Sequence, residues 1–407
     1  MDFKNIWPFR RKEVTVLDLA ADILQLGASK SGQSVTVVNA LKVATVLACV
    51  RVISEGVAQV PLKLLRRDGR NKMEAYDHPL WDILHRKPND ITTSFGFRET
   101  LVIHAALTGN GYAFISRSAG GRVLELINIE PGAVRVELSE TMGMRPKYFI
   151  KGRTGGSLEF PADTILHIQG PSWNGAAGMD VIRQAREAIG LAIATEEAHG
   201  RLHSNGARPG GLLSVEGNLQ DEQYKKLRKW IEDNYQGGEN AYRTMIVDRS
   251  AKFVPMAMSG VDAQHLETRR FQIEEICRIF RVMPIMVCGN DKASTYAGAE
   301  QNFLAHVVHT LGPWFERIEQ ALDCQLLTDA ERRAGYYTKL EERGLLRGAL
   351  KDTAEYLYKL AGIGIIDRNE AREMLDLNPK DGLDEPLTPI NLSAELAALQ
   401  KEGSANA

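Results

Sequence analysis

The segment between residues 180 and 327 constrains the fold of this chain most. A helical pattern runs to about residue 204 and stops at Asn205-Gly206-Ala207-Arg208-Pro209. A short strand–helix–strand pattern continues to about residue 260, and a second helical pattern covers about 262–282. This order predicts a small unit carried on two helices. Because two helices alone have little to pack against, the pattern favours a stalk surrounded by copies of itself over an enzyme pocket.

Composition limits the class of protein. The chain has 407 residues, of which 44% are apolar and 25% charged, as in a soluble globular protein with two or three cores. Its net charge of -2 argues against a protein that coats nucleic acid. The four cysteines are widely spaced and indicate reduced thiols. The N-terminus has no apolar signal core, and the longest apolar run, Val43 to Val50, is far shorter than a membrane span.

The segment before the stalk predicts an α+β domain. Residues 1–39 have little periodicity and are expected to form a flexible arm. A helix is expected from about Ala40 to Ala58, ended by Gly56 and Pro61, with an apolar face that includes Leu47. A hairpin and two capped helices follow, and from residue 112 to 168 short apolar strands alternate with turn residues.

The segment after the stalk predicts a loop and a long bent helix. An apolar stripe at helical spacing extends over about five turns, made by Phe303, Val307, Leu311, Trp314, Ile318 and Leu322. Pro313 cannot donate a backbone hydrogen bond inside this helix, so a kink is expected at Gly312 and Pro313. A helical hairpin is expected from about 356 to 377, followed by a mobile tail.

The loop of residues 284–295 has two interpretations. It can be a plain connector between two helices. It can also be a mobile finger that touches a polyanion through Asn290, Lys292 and Ser294. The helix before it carries balanced acidic and basic residues, which suits an ordinary solvated face and also a surface along which DNA slides without being gripped.

Motifs of catalysis and metal binding are missing from the sequence. It contains no phosphate-binding GxxxxGK[ST] loop, no GxGxxG after a strand and no HExxH. His306 and His309 stand three residues apart on the long helix and could share a metal ion. No Asp, Glu or Cys ligand completes a metal site nearby, so packing or solvent-facing roles are favoured. We therefore expect no catalytic residues, no metal and no cofactor.

Several sequence stretches occur in one order over roughly residues 40 to 390. They are Asp163-Thr164-Ile165-Leu166-His167-Ile168 with Gly178, Asn205-Gly206-Ala207-Arg208-Pro209, Phe280-Arg281-Val282-Met283-Pro284, Ser294-Thr295-Tyr296-Ala297 with Glu300-Gln301, Thr310-Leu311-Gly312-Pro313-Trp314 with Ile318-Glu319, Ala361-Gly362, Asn369-Glu370-Ala371-Arg372 and Leu377-Asn378-Pro379. In this order they resemble the portal proteins of tailed phages, prophages and gene transfer agents. Met283 and the stretch from Met286 to Gly289 depart from the family pattern.

The resemblance implies a portal fold with an α+β wing, a two-helix stem, a small α/β clip, a long kinked wing helix and a helical crown. In this sequence the parts are as follows: arm 1–39, wing 40–179, first stem helix 180–204, clip 205–261, second stem helix 262–283, tunnel loop 284–295, second wing segment 296–345, crown 346–380 and tail 381–407. The implied DNA-tunnel residues are Asn290, Asp291, Lys292 and Ser294, the clip junction is Asn205, Gly206, Arg208 and Pro209, and the kink is Gly312 and Pro313.

The resemblance also implies a function and partners. Portal proteins form a ring, expected to be a dodecamer, at one capsid vertex, and double-stranded DNA enters and leaves through it. The implied partners are the large terminase subunit, a head–tail connector or adaptor, and the major capsid protein or scaffold, with no membrane. The implied location is the virion, and the host cytoplasm during assembly. The alternatives are a metal-dependent nucleic-acid enzyme and another head–tail connector ring.

Overall fold

The structure is a computed structural model. It describes residues 29–138, 146–152, 156–204, 212–215, 221–222, 225–226, 229, 251–254, 261–288, 296–342, 345, 350–375 and 377–387. The chain divides into two units. Among the described residues, one unit combines residues 48–181 with the chain from residue 280 onward, and the other combines residues 29–47 with residues 182–279.

Helices and strands are numbered in chain order. The helices are α1 (Val37–Ala40), α2 (Ala44–Ala58), α3 (Pro79–His85), α4 (Ser94–Thr108), α5 (Val181–Gln184), α6 (Arg186–Ser204), α7 (Val261–Phe280), α8 (Tyr296–His306), α9 (Gly312–Gln325), α10 (Asp329–Arg333), α11 (Leu350–Gly362) and α12 (Arg368–Met374). The strands are β1 (Leu62–Asp68), β2 (Asn71–Glu74), β3 (Asn110–Arg117), β4 (Val123–Ile129), β5 (Val134–Leu138), β6 (Pro146–Lys151), β7 (Ser157–Phe160), β8 (Ile165–Gln169), β9 (Leu212–Val215), β10 (Ala251–Val254) and β11 (Tyr336–Leu340). This mixture of helices and small sheets is the expected α+β fold.

The unit that contains residues 48–181 holds three antiparallel three-stranded sheets, ordered β11-β1-β2, β4-β3-β8 and β5-β6-β7. The predicted hairpin is β1 and β2, and the predicted strands between 112 and 168 are confirmed. Strand β11 was not predicted. It pairs with β1, with Leu62 opposite Leu340, so a segment after the long helix completes the first sheet.

Capping residues explain where the two helices between β2 and β3 begin. The side chain of His78 accepts a hydrogen bond from the Leu80 N–H at the start of α3. The Thr93 hydroxyl accepts one from the Gly96 N–H at the start of α4, and Gly109, with φ of 75°, ends that helix in the left-handed conformation. Both predicted helices are therefore confirmed. The sequence indicated the caps of α4 but not the role of His78 in α3.

Helix α2 ends at Ala58, as expected, but it begins at Ala44 rather than near Ala40, and its buried face differs from the prediction. The buried residues include Val46, Val50 and Val57, whereas Leu47, expected on the apolar face, is 43% exposed. Gly56 does not end the helix, which continues to Ala58. Instead Gly56 gives room to a neighbouring side chain, as described below.

The other described unit contains the predicted stem helices. The first stem helix is interrupted: α5 ends at Gln184 and α6 begins at Arg186. A hydrogen bond of 3.0 Å from the Gln272 amide to the Thr195 hydroxyl joins α6 and α7. Ile189 on α6 and Ile276 on α7 are buried.

Part of the predicted flexible arm lies against α6. Residues 1–28 are outside the described residues, but the Lys30 N–H donates to the Glu187 carboxylate at 2.9 Å. The Gln33 amide donates to the Glu197 carboxylate at 3.1 Å. A Cβ atom on Gly190 would stand 2.4 Å from the Ser29 hydroxyl, so glycine permits this close approach.

The predicted helical hairpin near the C-terminus is formed by α11 and α12, with Gly364 (φ of 73°) between them. Asp367 and Glu370 make a capping box at the start of α12. The following segment returns to the first sheet, because Asn378 exchanges two hydrogen bonds of 2.7 Å with the backbone of Lys72. Residues 388–407 of the predicted mobile tail lie outside the described residues. Among the described helices, none has both the length and the apolarity needed to cross a membrane.

Candidate functional site

The structure describes only one of the three sets of site residues predicted from the sequence. The kink residues Gly312 and Pro313 are described. The tunnel-loop residues Asn290, Asp291, Lys292 and Ser294 and the clip-junction residues Asn205, Gly206, Arg208 and Pro209 lie outside the described residues. The candidate site is therefore built from the segments next to the tunnel loop.

The first of these segments is the end of α7. Phe280 is its last residue, and Arg281 follows with φ of 57°, in the left-handed region that residues other than glycine seldom occupy. The Thr310 hydroxyl donates a hydrogen bond of 2.6 Å to the Arg281 carbonyl oxygen. This bond compensates for an unfavourable backbone conformation and fixes where the chain leaves α7.

The second segment is the break in the long helix. Between α8 and α9, Val307–Leu311 form one turn of π-helix, and the Gly312 N–H donates to the Val307 carbonyl five residues earlier. Pro313 stands in the first turn of α9 and has no N–H to donate. Insertions of this kind inside α-helices are frequent at functional sites. The bend angle at Gly312 and Pro313 stays a prediction.

Packing holds the π-helical turn in place. Val307 and Leu311 are buried. The two terminal methyl carbons of Leu311 lie 3.0 and 3.1 Å from where a Cβ atom on Gly56 would stand. The π-helical turn therefore packs against α2 at Gly56, where the absence of a side chain leaves room for Leu311. Trp314, Ile318 and Leu322 of the predicted apolar stripe are buried as well, whereas Phe303 is exposed.

Burial lowers the pKa of two basic side chains near this turn, Arg317 and His306. Burial lowers the pKa of the Arg317 guanidinium, and the positive charge of Arg281 lowers it further. The guanidinium carbon of Arg317 lies 5.2 Å from the centre of the Trp314 ring, a cation–π contact. His306 is buried and burial lowers its pKa, whereas His309 is exposed. The two histidines therefore have the packing and solvent-facing roles that the sequence favoured.

This junction brings the residue that follows α7 and the π-helical turn together through the Thr310–Arg281 hydrogen bond. Within the described ranges, no group of three or more His, Cys, Asp or Glu side chains could hold a metal ion.

A second polar cluster was missed by the sequence reasoning. The Asn110 side chain accepts a hydrogen bond from the Gly178 N–H at 2.7 Å and donates one to the Gly178 carbonyl at 3.1 Å. His167 Nε2 lies 3.0 Å from the same Asn110 oxygen, and Tyr148 Oη lies 3.1 Å from His167 Nδ1. Because that oxygen is the acceptor for Gly178, His167 carries its proton on Nε2.

Burial explains the titration of this cluster. It lowers the pKa of His167 to about 4 and raises the pKa of Tyr148 to about 12. Both groups are therefore neutral near pH 7. The cluster fixes the loop that begins at Pro171 to the buried sheet. Asn110 and Gly178 are 68 positions apart, so no local signal in the sequence could have found this pair.

The model of one protein family, described as phage portal protein, matches residues 44–376 of the chain. The chain belongs to the phage portal protein family. It is 32% identical over 382 residues to the probable portal protein of Streptomyces phage phiC31, covering 91% of this chain and 83% of that protein. It is 27% identical over 350 residues to the portal protein of Enterobacteria phage HK97, covering 84% and 81%.

A solved structure has the same fold. It is described as the neck of a native gene transfer agent particle computed with C12 symmetry. The match has a TM-score of 0.61 and 22% identity, and it covers 93% of this chain and 97% of that one. As a member of the portal family, this chain is a structural component that forms a homo-oligomeric ring at the capsid vertex of a virion. Family membership favours this role over a nucleic-acid enzyme or another connector ring.

Proposed function

We propose that twelve copies of this chain close into a ring through which double-stranded DNA is packaged and later ejected. In this proposal the ring docks the large terminase subunit first and a head–tail connector afterwards, and it contacts the major capsid protein or scaffold. It assembles in the host cytoplasm before it becomes part of the virion. Its role is structural, and it catalyses no reaction.

One observation in the described stem carries the ring. Helices α6 and α7 bury Ile189 and Ile276 within their own unit, yet they leave Leu191 45% exposed and Phe271 56% exposed. In the proposed ring, neighbouring copies pack against the stem, and Leu191 and Phe271 are the exposed apolar side chains of these helices that they would cover. The C12 symmetry of the gene transfer agent neck supports twelve as the copy number.

Roles within the ring follow the division of the chain. We assign the wing to residues 40–179 and 296–345, the stem to 180–204 and 262–283, the clip to 205–261, the tunnel loop to 284–295 and the crown to 346–380. The tunnel-loop residues Asn290, Asp291, Lys292 and Ser294 then face the DNA, and the junction at Asn205, Gly206, Arg208 and Pro209 orients the clip toward motor and connector. Residues 1–39 and 381–407 are the arm and the tail.

Imaging the purified full chain tests the ring. Negative-stain views down the axis should show twelvefold rings, and light scattering should give a mass of about twelve copies. A stable monomer at micromolar concentration, with no rings, would contradict the proposal. Leu191→Ser and Phe271→Ser should weaken the ring, whereas Glu196→Ser, a matched change at an exposed charged residue of α6, should leave it intact.

Deleting part of the tunnel loop tests whether ring assembly and DNA passage depend on different parts of the chain. Removing residues 286–294 should leave rings of normal size and impair packaging or retention of DNA in assembled particles. If ring assembly itself collapses, the loop has a structural role instead of a role in the channel. The assay compares DNA content of particles built with the wild-type and the shortened chain.

A further inference from the structure

The loop from Pro171 to Met179 has one shape that its own side chains impose. The Ser172 hydroxyl accepts a hydrogen bond from the Gly175 N–H at 2.9 Å and donates one to the Ala177 carbonyl at 2.5 Å. The Asn174 side-chain oxygen accepts from the N–H groups of Ala176 and Ala177, at 3.0 and 3.1 Å. Short polar side chains bound to nearby backbone stabilise such turns.

The base of this loop is fixed to the buried sheet. The Met179 N–H donates to the Pro171 carbonyl at 2.8 Å, and Asn110 holds both backbone groups of Gly178. A Cβ atom on Gly178 would stand 1.9 Å from the Gly109 carbonyl oxygen, so the two backbones touch where only glycine fits. The loop is therefore a rigid support, closed at its base and braced inside.

This support presents a tryptophan to solvent. Trp173, at the outer end of the loop, is 92% exposed. Tyr76 is also an exposed aromatic, but its hydroxyl binds Glu74 and its ring packs on Trp81. Trp173 has a large apolar ring held on a rigid backbone, so it loses little conformational freedom on binding, and tryptophan is enriched among the residues that dominate interfaces.

The surroundings of Trp173 restrict the kind of partner. The segment from Ile168 to Met179 contains no Asp, Glu, Lys, Arg or His. A surface without Lys or Arg lacks the charge neutralisation that supplies most of a protein's affinity for DNA phosphates. Interface centres between proteins are depleted of charge in the same way. The partner surface is therefore an apolar patch on a protein.

Two features of the chain point to a second copy as that protein. Trp173 shortly precedes α5 and α6 in the chain, the start of the proposed stem that copies must cover. A ring contact is heterologous, so each copy needs one surface to insert and a different one to receive. The unit that holds Trp173 also exposes apolar side chains elsewhere, with Ile91 69% exposed and Leu124 half exposed.

We infer that Trp173 is an interface anchor that inserts into an apolar surface of the neighbouring copy in the ring. The inference rests on the proposed ring and adds the residue that holds adjacent copies together. The rigid loop sets the position of the ring of Trp173 before assembly, and Asn110 transmits that position to the buried sheet.

Photo-crosslinking identifies the occupant directly. The full chain with p-benzoylphenylalanine in place of Trp173 is assembled and irradiated, and the products are separated under denaturing conditions. The expected result is a ladder of covalently joined copies. The same residue at position 76 is the matched control and should give far less. Intact rings without crosslinks between copies, or crosslinks only to a co-expressed capsid or terminase protein, would overturn the inference.

Substitution measures the strength of the anchor. Trp173→Ala should raise the concentration at which half of the rings dissociate by at least about tenfold, whereas Trp173→Phe should have a smaller effect. Because the side chain is exposed in the single copy, the thermal midpoint of the dissociated chain should not change. Rings of Trp173→Ala as stable as wild type would refute the anchor alone, whereas wild-type protein that forms no ring would refute the proposed function first.

Discussion

Leu311 fills the space in which Gly56 lacks a side chain. Its terminal methyl carbons lie 3.0 and 3.1 Å from the position that a Cβ atom on Gly56 would take. Leu311 is the last residue of the π-helical turn, and its side chain is buried. The contact therefore connects the π-helical turn to helix α2, and substitutions at either Gly56 or Leu311 can test it.

Gly56→Ala should destabilise the protein although alanine is the better helix former. Alanine gains about 1 kcal/mol of helix propensity, but the added methyl group overpacks a buried contact, which costs about 1–3 kcal/mol. We expect a net loss of about 1 kcal/mol in urea denaturation. Gly96→Ala in α4 is the matched control, since the nearest atom to its Cβ position is 3.6 Å away, and it should be neutral or stabilising.

A second-site change decides whether Leu311 is the cause. The double variant Gly56→Ala with Leu311→Val removes part of the crowding, so the two changes should cost less together than the sum of the single changes. Additive costs in this cycle would show that Gly56 matters for another reason.

Pro313→Ala should convert the π-helical turn to regular α-helix. The new N–H of residue 313 can donate to the carbonyl of His309. A regular α-helical turn holds one residue fewer than the π-helical turn, so α8 should rotate by about 100° relative to α9. Structures of assembled wild-type and variant rings give the measurement. If Val307–Leu311 keep the π-helical pattern in Pro313→Ala, the Thr310 bond to Arg281 and the Leu311 contact hold the turn, and Thr310→Val should then release it.

Local patterns predicted most of the helices and strands because they need only neighbours in the chain. The caps at Thr93 and Gly109 and the strands between 112 and 168 are of this kind. The π-helical turn was not predicted, because it depends on Thr310 reaching Arg281 and on the missing side chain of Gly56. In the sequence, Gly56 looks like a helix terminator, and only the fold reveals it as a contact.

Two further features were not predicted from the sequence, because they depend on contacts between segments that are distant in the chain. Strand β11 is short and partly polar, and its pairing partner β1 stands near the start of the domain. Its identity as a strand depends on a neighbour that no local window contains. The Trp173 support is similar, because the loop sequence indicates only a turn, whereas its rigidity depends on Asn110, 68 positions from Gly178.

Glu319→Ala should loosen the attachment of β11 to α9. The buried Glu319 carboxylate accepts hydrogen bonds from the Leu340 N–H at 2.8 Å and from Lys339 Nζ at 3.0 Å. Its loss leaves a buried N–H unpaired, so we expect about 1–3 kcal/mol lower stability in urea denaturation. Glu316→Ala, one turn earlier at an exposed position, should change stability by less than about 0.5 kcal/mol. Equal effects of the two changes would contradict this role of Glu319.

Acid should destabilise the protein through His167. Burial lowers its pKa from 6.5 to about 4 in the folded protein. Above pH 6.5 both the folded and the unfolded chain hold it neutral, so it adds no pH dependence there. Between pH 6.5 and 4 the unfolded chain binds a proton that the folded protein excludes, so the free energy of unfolding falls by up to about 3 kcal/mol as the pH falls.

A substitution separates this histidine from the others. His104 has a pKa lowered to about 4 for the same reason, so His167→Gln should remove only one proton's share of the slope between pH 6.5 and 4. His309→Gln, at an exposed position, is the matched control and should leave the slope as in wild type. Urea denaturation at fixed protein concentration from pH 4 to 8 measures both. An unchanged slope in His167→Gln would mean that His167 also becomes protonated in the folded protein, with Nδ1–H donating to the Tyr148 hydroxyl instead of accepting from it.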